Sequence, residues 1–336
     1  MPDLRGRLTT FAYRAGSTAA QLVPAALATP IARALGRGAA PLLRDQRHMA
    51  SRHQQRVTGR DGVSGVFDSY GRYWLEMMRL PSEVRSGTVA ANCTIEGFEH
   101  IEAGLERGNG VILALPHLGG WEWGGAAMAL RGHRLLAVVE HIEPPELLAW
   151  FAEQRAAIGI DVVTLGPDVG TSVLRALRDN RIVCLLSDRD IAGDGVEVEF
   201  FGERTTLPGG PATLALRTGA PLVPCAVYFR GVRDHLGVVR PPLGVERLGR
   251  LREDIARITQ ALAYELEALI RAAPEQWHLL QPNWPSDRGV ATSNAAQPPL
   301  RGESDHGNRS TSEESRRVTR RSRLDEANPT INTEGE

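Results

Sequence analysis

The 336-residue chain contains no lysine; its 39 basic residues are all arginine. That excludes lysine Schiff-base chemistry and the lysine contact of a phosphate-binding loop. Only three cysteines occur, Cys93, Cys184 and Cys225, too far apart for a CxxC pair. A disulfide framework or thiolate metal site is therefore not expected, and a reducing compartment suits the chain. With a formal net charge of −1, no global basic field points to nucleic acid. No apolar run approaches the roughly 18 residues of a membrane span. GxSxG, GxGxxG and HExxH patterns are missing too, which removes the serine-hydrolase, dinucleotide and zinc-protease signatures.

What is present is an apolar content of 42%, enough for a substantial core, in an alternating pattern. Short apolar runs such as "GVILALP", "RLLAVVEH", "DVVTL", "RIVCLLSD" and "PLVPCAVYF" read as buried strands. Helical stretches separate them: "WGGAAMALRG", "PPELLAWFAEQRAAIG", "GTSVLRALRDN" and "GGPATLALRTGA", with a last amphipathic helix over 251–271. This alternation predicts an α/β fold, a central mostly parallel sheet flanked by helices. Residues 1–90 read as mainly helical, their apolar faces suited either to core packing or to resting on a membrane. The same two readings stand for the aromatic stripe of "SYGRYWLEMMRLP". From 286 to 336 large apolar residues are few, and this segment is expected to be a disordered tail beyond a domain of residues 1–285.

One histidine stands where a strand meets a glycine-rich turn, in "LALPHLGGWEWGG" at 113–125. His117 lies at the strand end, where functional side chains of α/β sheets gather. Glu122 follows five residues later, and a histidine oriented by a carboxylate is a plausible general base. Gly119 and Gly120 offer backbone N–H groups as candidate oxyanion donors. Asp188, Arg189 and Asp190 sit just past another strand-like run and can share the same edge. Arg155 lies late in its helix, where a solvated arginine is the ordinary outcome. No metal-ligand spacing involves His133 or His141, so no metal is expected.

Taken together, "SYGRYW", "ALPHLGGWEWGG", "CLLSDRD", "GVEVEFFGE", "GGPATLALRTGA" and "QWHLLQPNW" resemble the bacterial acyltransferases related to the lipid A lauroyl and myristoyl transferases. Within that superfamily they are similar in particular to the actinobacterial phosphatidylinositol mannoside acyltransferases. The motifs run in family order from Ser69 to Trp284. The resemblance implies a glycerolipid-acyltransferase-like fold and transfer of a long acyl chain from acyl-CoA to a mannose hydroxyl of a phosphatidylinositol mannoside. Palmitoyl-CoA is the expected co-substrate, and no cofactor is expected. The implied place is the cytoplasmic leaflet of the cell membrane, held peripherally.

By the same resemblance, His117 falls on the catalytic histidine and Glu122 on an acid that is usually Asp. Arg155 matches an arginine associated with that acid. Asp188 falls where the mannoside enzymes carry Glu. Both acids thus depart by one carbon, in opposite directions, leaving open which of them orients the imidazole. Arg155 and Arg189 are the expected contacts for acceptor phosphate. Transfer to another glycolipid or a lysophospholipid, hydrolysis of acyl-CoA, and lipid binding without catalysis are the rival readings.

Overall fold

The structure, a computed structural model, describes residues 4–287. Four long helices open the chain: α1 (Leu4–Leu22), α2 (Ala25–Ala39), α3 (Arg44–Thr58) and α4 (Val63–Arg85). Pro24 separates the first two, because the residue before a proline is pushed out of the helical region. Helices α2 and α4 cross almost backbone to backbone. A Cβ on Gly36 would stand 2.1 Å from the Phe67 carbonyl oxygen, and one on Gly71 2.3 Å from that of Ala32. Only glycine permits that approach. Asp68 of α4 fixes the crossing by accepting from Arg33 and Arg37 of α2.

The outward stripe of α2 is apolar: Leu27, Ile31 and Leu35, at i, i+4 and i+8, are all exposed, as are Leu8 and Phe11 of α1. The core thus takes one face of these helices and leaves greasy side chains on the other. The aromatic stripe of α4 belongs inside. Tyr73 is buried, and Trp74 and Met77 pack with Tyr13 against Leu147, Trp150 and Phe151.

After α5 (Thr88–Ala91) the α/β part begins. It runs through β1 (Cys93–Glu96), α6 (Glu99–Glu106), β2 (Val111–Leu115), α7 (Trp121–Leu130), β3 (Leu135–Val139), α8 (Pro145–Ala156) and β4 (Ile160–Thr164). Next come α9 (Val169–Arg178), β5 (Ile182–Leu186), β6 (Val196–Phe200), β7 (Glu203–Leu207), α10 (Gly210–Thr218), β8 (Leu222–Arg230), β9 (Asp234–Val239) and α11 (Leu251–Arg271). Seven strands form one sheet in the order β1-β9-β8-β2-β5-β3-β4. Strands β8, β2, β5, β3 and β4 are parallel, as their helical crossovers require. Strand β9 runs antiparallel to β8 and pairs parallel with the edge strand β1.

Helix α7 covers one sheet face, packing Trp123, Ala126 and Met128 with Leu113 and Leu135. On the other face α9, α10 and α11 pack Val173, Ala215 and Ile258 with Ile112 and Val183. Each such fully buried aliphatic side chain contributes about 1.5–3 kcal/mol. The "VEVEFF" run forms β6 of a separate hairpin with β7, and Phe200 and Phe201 belong to the core cluster around α11. It walls no groove.

The described residues end in a clamp. Asp287, at the start of the segment expected to be disordered, is fully buried. It accepts from Arg52 Nε and Arg56 at 2.8 Å each, and from the Asn283 and Trp284 amides at 3.1 Å each. Burial, the largest influence, opposes its ionisation, yet hydrogen bonds from His53, Arg52, the Asn283 amide and Arg56 hold its carboxyl far below the usual aspartate range. The remainder of the expected tail lies outside the described residues.

Candidate active site

Strands β2 and β5 are neighbours in register, Leu115 opposite Leu186. His117 and Asp188 each stand two residues beyond that pair, so the parallel ladder sets them level on the sheet's C-terminal edge. His117 Nδ1–H donates to Asp188 Oδ1 at 2.6 Å, and its backbone N–H donates to Oδ2 at 2.9 Å. Trp277 Nε1–H donates to Oδ2 at 2.7 Å, while Asn283 Nδ2 holds the Asp188 carbonyl at 3.0 Å. The aspartate is 0% exposed and the histidine side chain 18%. A buried carboxylate saturated by donors keeps the ring in one tautomer and leaves Nε2 with its lone pair.

The electrostatics follow from that contact. Burial is the largest influence on His117 and disfavours its cation, yet the Asp188 charge and hydrogen bond outweigh it. Glu140 adds to that pull and Arg189 subtracts, so the imidazole sits above its ordinary value. Burial likewise opposes ionisation of Asp188, but His117, Trp277 and the His117 amide hold it below the usual aspartate value. His278, whose amide donates to the His117 carbonyl at 2.7 Å, is the opposite case. Burial first, and the nearby His117 charge second, push it down to about 3, so it stays neutral.

Glu122, in the first turn of α7, does not reach the histidine. Arg155 of α8 claims its carboxylate: Nε lies 3.2 and 3.1 Å from the two oxygens, and a terminal nitrogen makes a further close contact. The pair pins α8 to α7 and leaves Arg155 little freedom to leave its partner. Arg189 meets Glu140, the residue after β3, at 3.1 Å. Asp190 is spent inside its own loop, accepting from the Gly193 and Gly195 amides and the Thr206 hydroxyl. The Gly119 and Gly120 amides are not free either. Gly119 donates to the Gln276 carbonyl and Gly120 to that of Val227, each at 2.9 Å. Packing this close demands glycine at 119, where φ is +62° and a Cβ would stand 2.0 Å from the Val227 oxygen. Those two glycines anchor the loop, and the remaining backbone donors beside His117 are the Trp121 and Glu122 amides in the first turn of α7.

A cavity of about 740 Å³ opens at His117, within the roughly 300–1,000 Å³ of ligand sites. On the α7 side its walls are Leu113, Leu115, Met128, Leu135, Leu186 and Val227. Cys184 and Cys225 also line it, and burial raises both thiols, Cys184 to about 12, so neither is a nucleophile. Trp121 meets the His117 ring edge-on at 5.9 Å between centroids and stacks on Tyr73 at 4.4 Å. Trp74 and Tyr13 continue this aromatic contact outward to α1. Among the described residues no cluster of His, Cys, Asp or Glu is placed to hold a metal ion.

Sequence reasoning had no role for Trp277, Asn283 or Glu140. Glu140 carried a readable signal, an acid directly after a buried strand like Asp188; the other two act through long-range contacts that local pattern does not reveal. Two comparisons with known proteins bear on what this site does. Phosphatidylinositol mannoside acyltransferase of Mycobacterium tuberculosis strain H37Rv is 41% identical over 224 residues, 66% of this chain and 69% of the relative. The Mycolicibacterium smegmatis protein of the same name is 35% identical over 299 residues, 84% of this chain and 94% of the relative. The bacterial lipid A biosynthesis acyltransferase family model matches residues 3–286. An imidazole braced by a buried anion beside a greasy cavity is machinery suited to that chemistry, and the chain is an acyltransferase belonging to the bacterial lipid A biosynthesis acyltransferase family.

Proposed function

We propose that this acyltransferase moves a long fatty acyl chain from acyl-CoA to a mannose hydroxyl of a phosphatidylinositol mannoside, with His117 as general base. The observation that carries this reading is the His117–Asp188 pair opening onto the apolar cavity. A sugar hydroxyl is a poor nucleophile at neutral pH. His117 Nε2 takes its proton as oxygen attacks the thioester carbonyl, and Asp188 stabilises the imidazolium through Nδ1–H. The tetrahedral intermediate then expels CoA thiolate, so no covalent acyl-enzyme is needed. Proton removal of this kind is worth about 10²–10⁴ in rate. The Trp121 and Glu122 amides, in the first turn of α7, are the candidate donors for the developing oxyanion. Arg189, paired with the half-exposed Glu140 at the cavity mouth, is the better placed of the two expected arginines to meet the acceptor's phosphate or hydroxyls.

The lipid acceptor has to be met at a membrane surface. No described helix is long and apolar enough to cross one. The exposed stripe of Leu27, Ile31 and Leu35 on α2, and the exposed Leu8 and Phe11 on α1 with Arg7 and Arg14 on the same helix, suit helices lying in the interface of the cytoplasmic leaflet. Radiolabelled palmitoyl-CoA offered with a panel of acceptors tests the reading. Label on a phosphatidylinositol mannoside supports it; label on a lysophospholipid and on no mannoside rejects the acceptor.

A further inference from the structure

The cavity at His117 has walls on both faces of the sheet. Leu113, Leu115 and Leu186 point to the α7 side, whereas Leu185, Ala226 and Val138 alternate with neighbours that face the other way. On that second side the lining comes from α9 (Val169, Gly170, Leu174) and α10 (Gly210, Leu214, Arg217). The two helices run side by side from the active-site edge toward the opposite edge, because each precedes a parallel strand, β5 or β8. Their groove-facing stripes end alike. Arg217 lines the cavity itself, and Arg178 lies one turn beyond Leu174 on the same face of α9. Both arginines are exposed, and neither has an ion-pair partner among the described residues. The acids lining this lobe, Asp190 and Asp194, are on the loop after β5; at the arginine end Asp179 caps α9 beside Arg178.

A thioester joins an apolar chain to a polar, phosphate-ended arm, so a donor bound with its carbonyl at His117 needs two exits from that point. We propose that the α9–α10 groove takes the pantetheine arm of the acyl donor, with Arg217 and Arg178 holding its phosphates. The chamber under α7 then receives the acyl chain. This assignment rests on the reading that the donor is a coenzyme A thioester. From Gly210 to Arg217 α10 rises about 10 Å, a length that the pantetheine arm spans. Two guanidinium groups without partners match the several negative charges of the nucleotide end, which arginine binds bidentately.

The test uses the full chain and the substitutions Arg217→Ala and Arg178→Ala, alone and together. Both side chains lie exposed on helix surfaces, so the variants keep their fold. Calorimetry with free coenzyme A is expected to show Kd rising on the order of tenfold per arginine, as charge-assisted contacts are lost. KM for palmitoyl-CoA follows, while kcat and acceptor KM stay fixed. S-palmitoyl-pantetheine, which lacks the phosphates, is used equally by parent and double variant. An unchanged coenzyme A Kd in the double variant overturns the proposal, as does a parent chain that binds no coenzyme A. A rise confined to acceptor KM also overturns it, giving the arginines to the acceptor. A parent that binds coenzyme A through these arginines yet transfers no acyl group leaves the groove standing and removes the proposed reaction instead.

Discussion

With Nδ1–H committed to Asp188, the only ring nitrogen of His117 able to accept a proton is Nε2. A base of this kind works as the neutral imidazole. Because Asp188 raises the histidine's value, kcat/KM is expected to climb with pH through a midpoint above the ordinary ~6.5. Asp188→Asn removes the anion, so that midpoint moves down while the plateau falls; a pH–rate profile of the two proteins reads both. A midpoint that fails to move downward means that Asp188 does not brace the imidazole. The histidine itself was legible, since an apolar run followed by "PHLGG" places it at a strand end. Its partner was not. Spacing favoured Glu122 no less than Asp188, and the choice is made by strand order, which seats β5 beside β2 and aims Glu122 at Arg155 instead.

At the scale of elements, the strands that could be read from sequence are the apolar runs of β2, β3, β4, β5 and β8, the edge strand β4 among them. Strands β2, β5 and most of β8 are continuous apolar runs because helices cover both faces. Of the main sheet, β1 and β9 escaped; they lie toward one edge and alternate between buried and open positions in stretches of four and six residues. Such short patterns resemble loops. Helix contacts were equally invisible, since nothing local announces that Gly36 and Gly71 meet across α2 and α4. Gly36→Leu is expected to cost about 1–3 kcal/mol through overpacking and to release α2, seen as a lower urea midpoint with earlier proteolysis of the first forty residues. A midpoint equal to the parent's contradicts that crossing. The clamp at Asp287 makes a similar claim for the C-terminal end. Its carboxyl is depressed on folding, so the stabilisation it supplies is complete above the ordinary aspartate value and fades as pH falls below it. Asp287→Asn is expected to lower stability by about 1–3 kcal/mol at neutral pH, with a loss that shrinks in acid when chemical denaturation is repeated there.

For the whole molecule, the arrangement joins three regions that the sequence presents separately. The N-terminal helices offer an apolar surface, an aromatic series from Tyr13 to Trp121 connects them to the sheet edge that carries His117, and the later "QWHLLQPNW" segment returns to bond Asp188. Sequence left the N-terminal helices divided between core and interface; one face packs into the core, and the other leaves Leu27, Ile31 and Leu35 exposed. Replacing Leu27, Ile31 and Leu35 together with Ser is expected to weaken sedimentation with anionic vesicles by tenfold or more, from the apolar area withdrawn, without changing the circular dichroism spectrum. Retained vesicle binding would place the membrane contact elsewhere.

Acyl transfer to a lipid-linked sugar is proposed to depend on a single imidazole. A single-turnover assay with radiolabelled palmitoyl-CoA and a phosphatidylinositol mannoside, comparing the parent chain with His117→Ala, reads that assignment without intermediaries. Acylated glycolipid is expected from the parent, a rate lower by about 10²–10⁴ in the variant, and no release of coenzyme A when acceptor is omitted. Equal transfer by the variant, or thioester cleavage by the parent without acceptor, would contradict it.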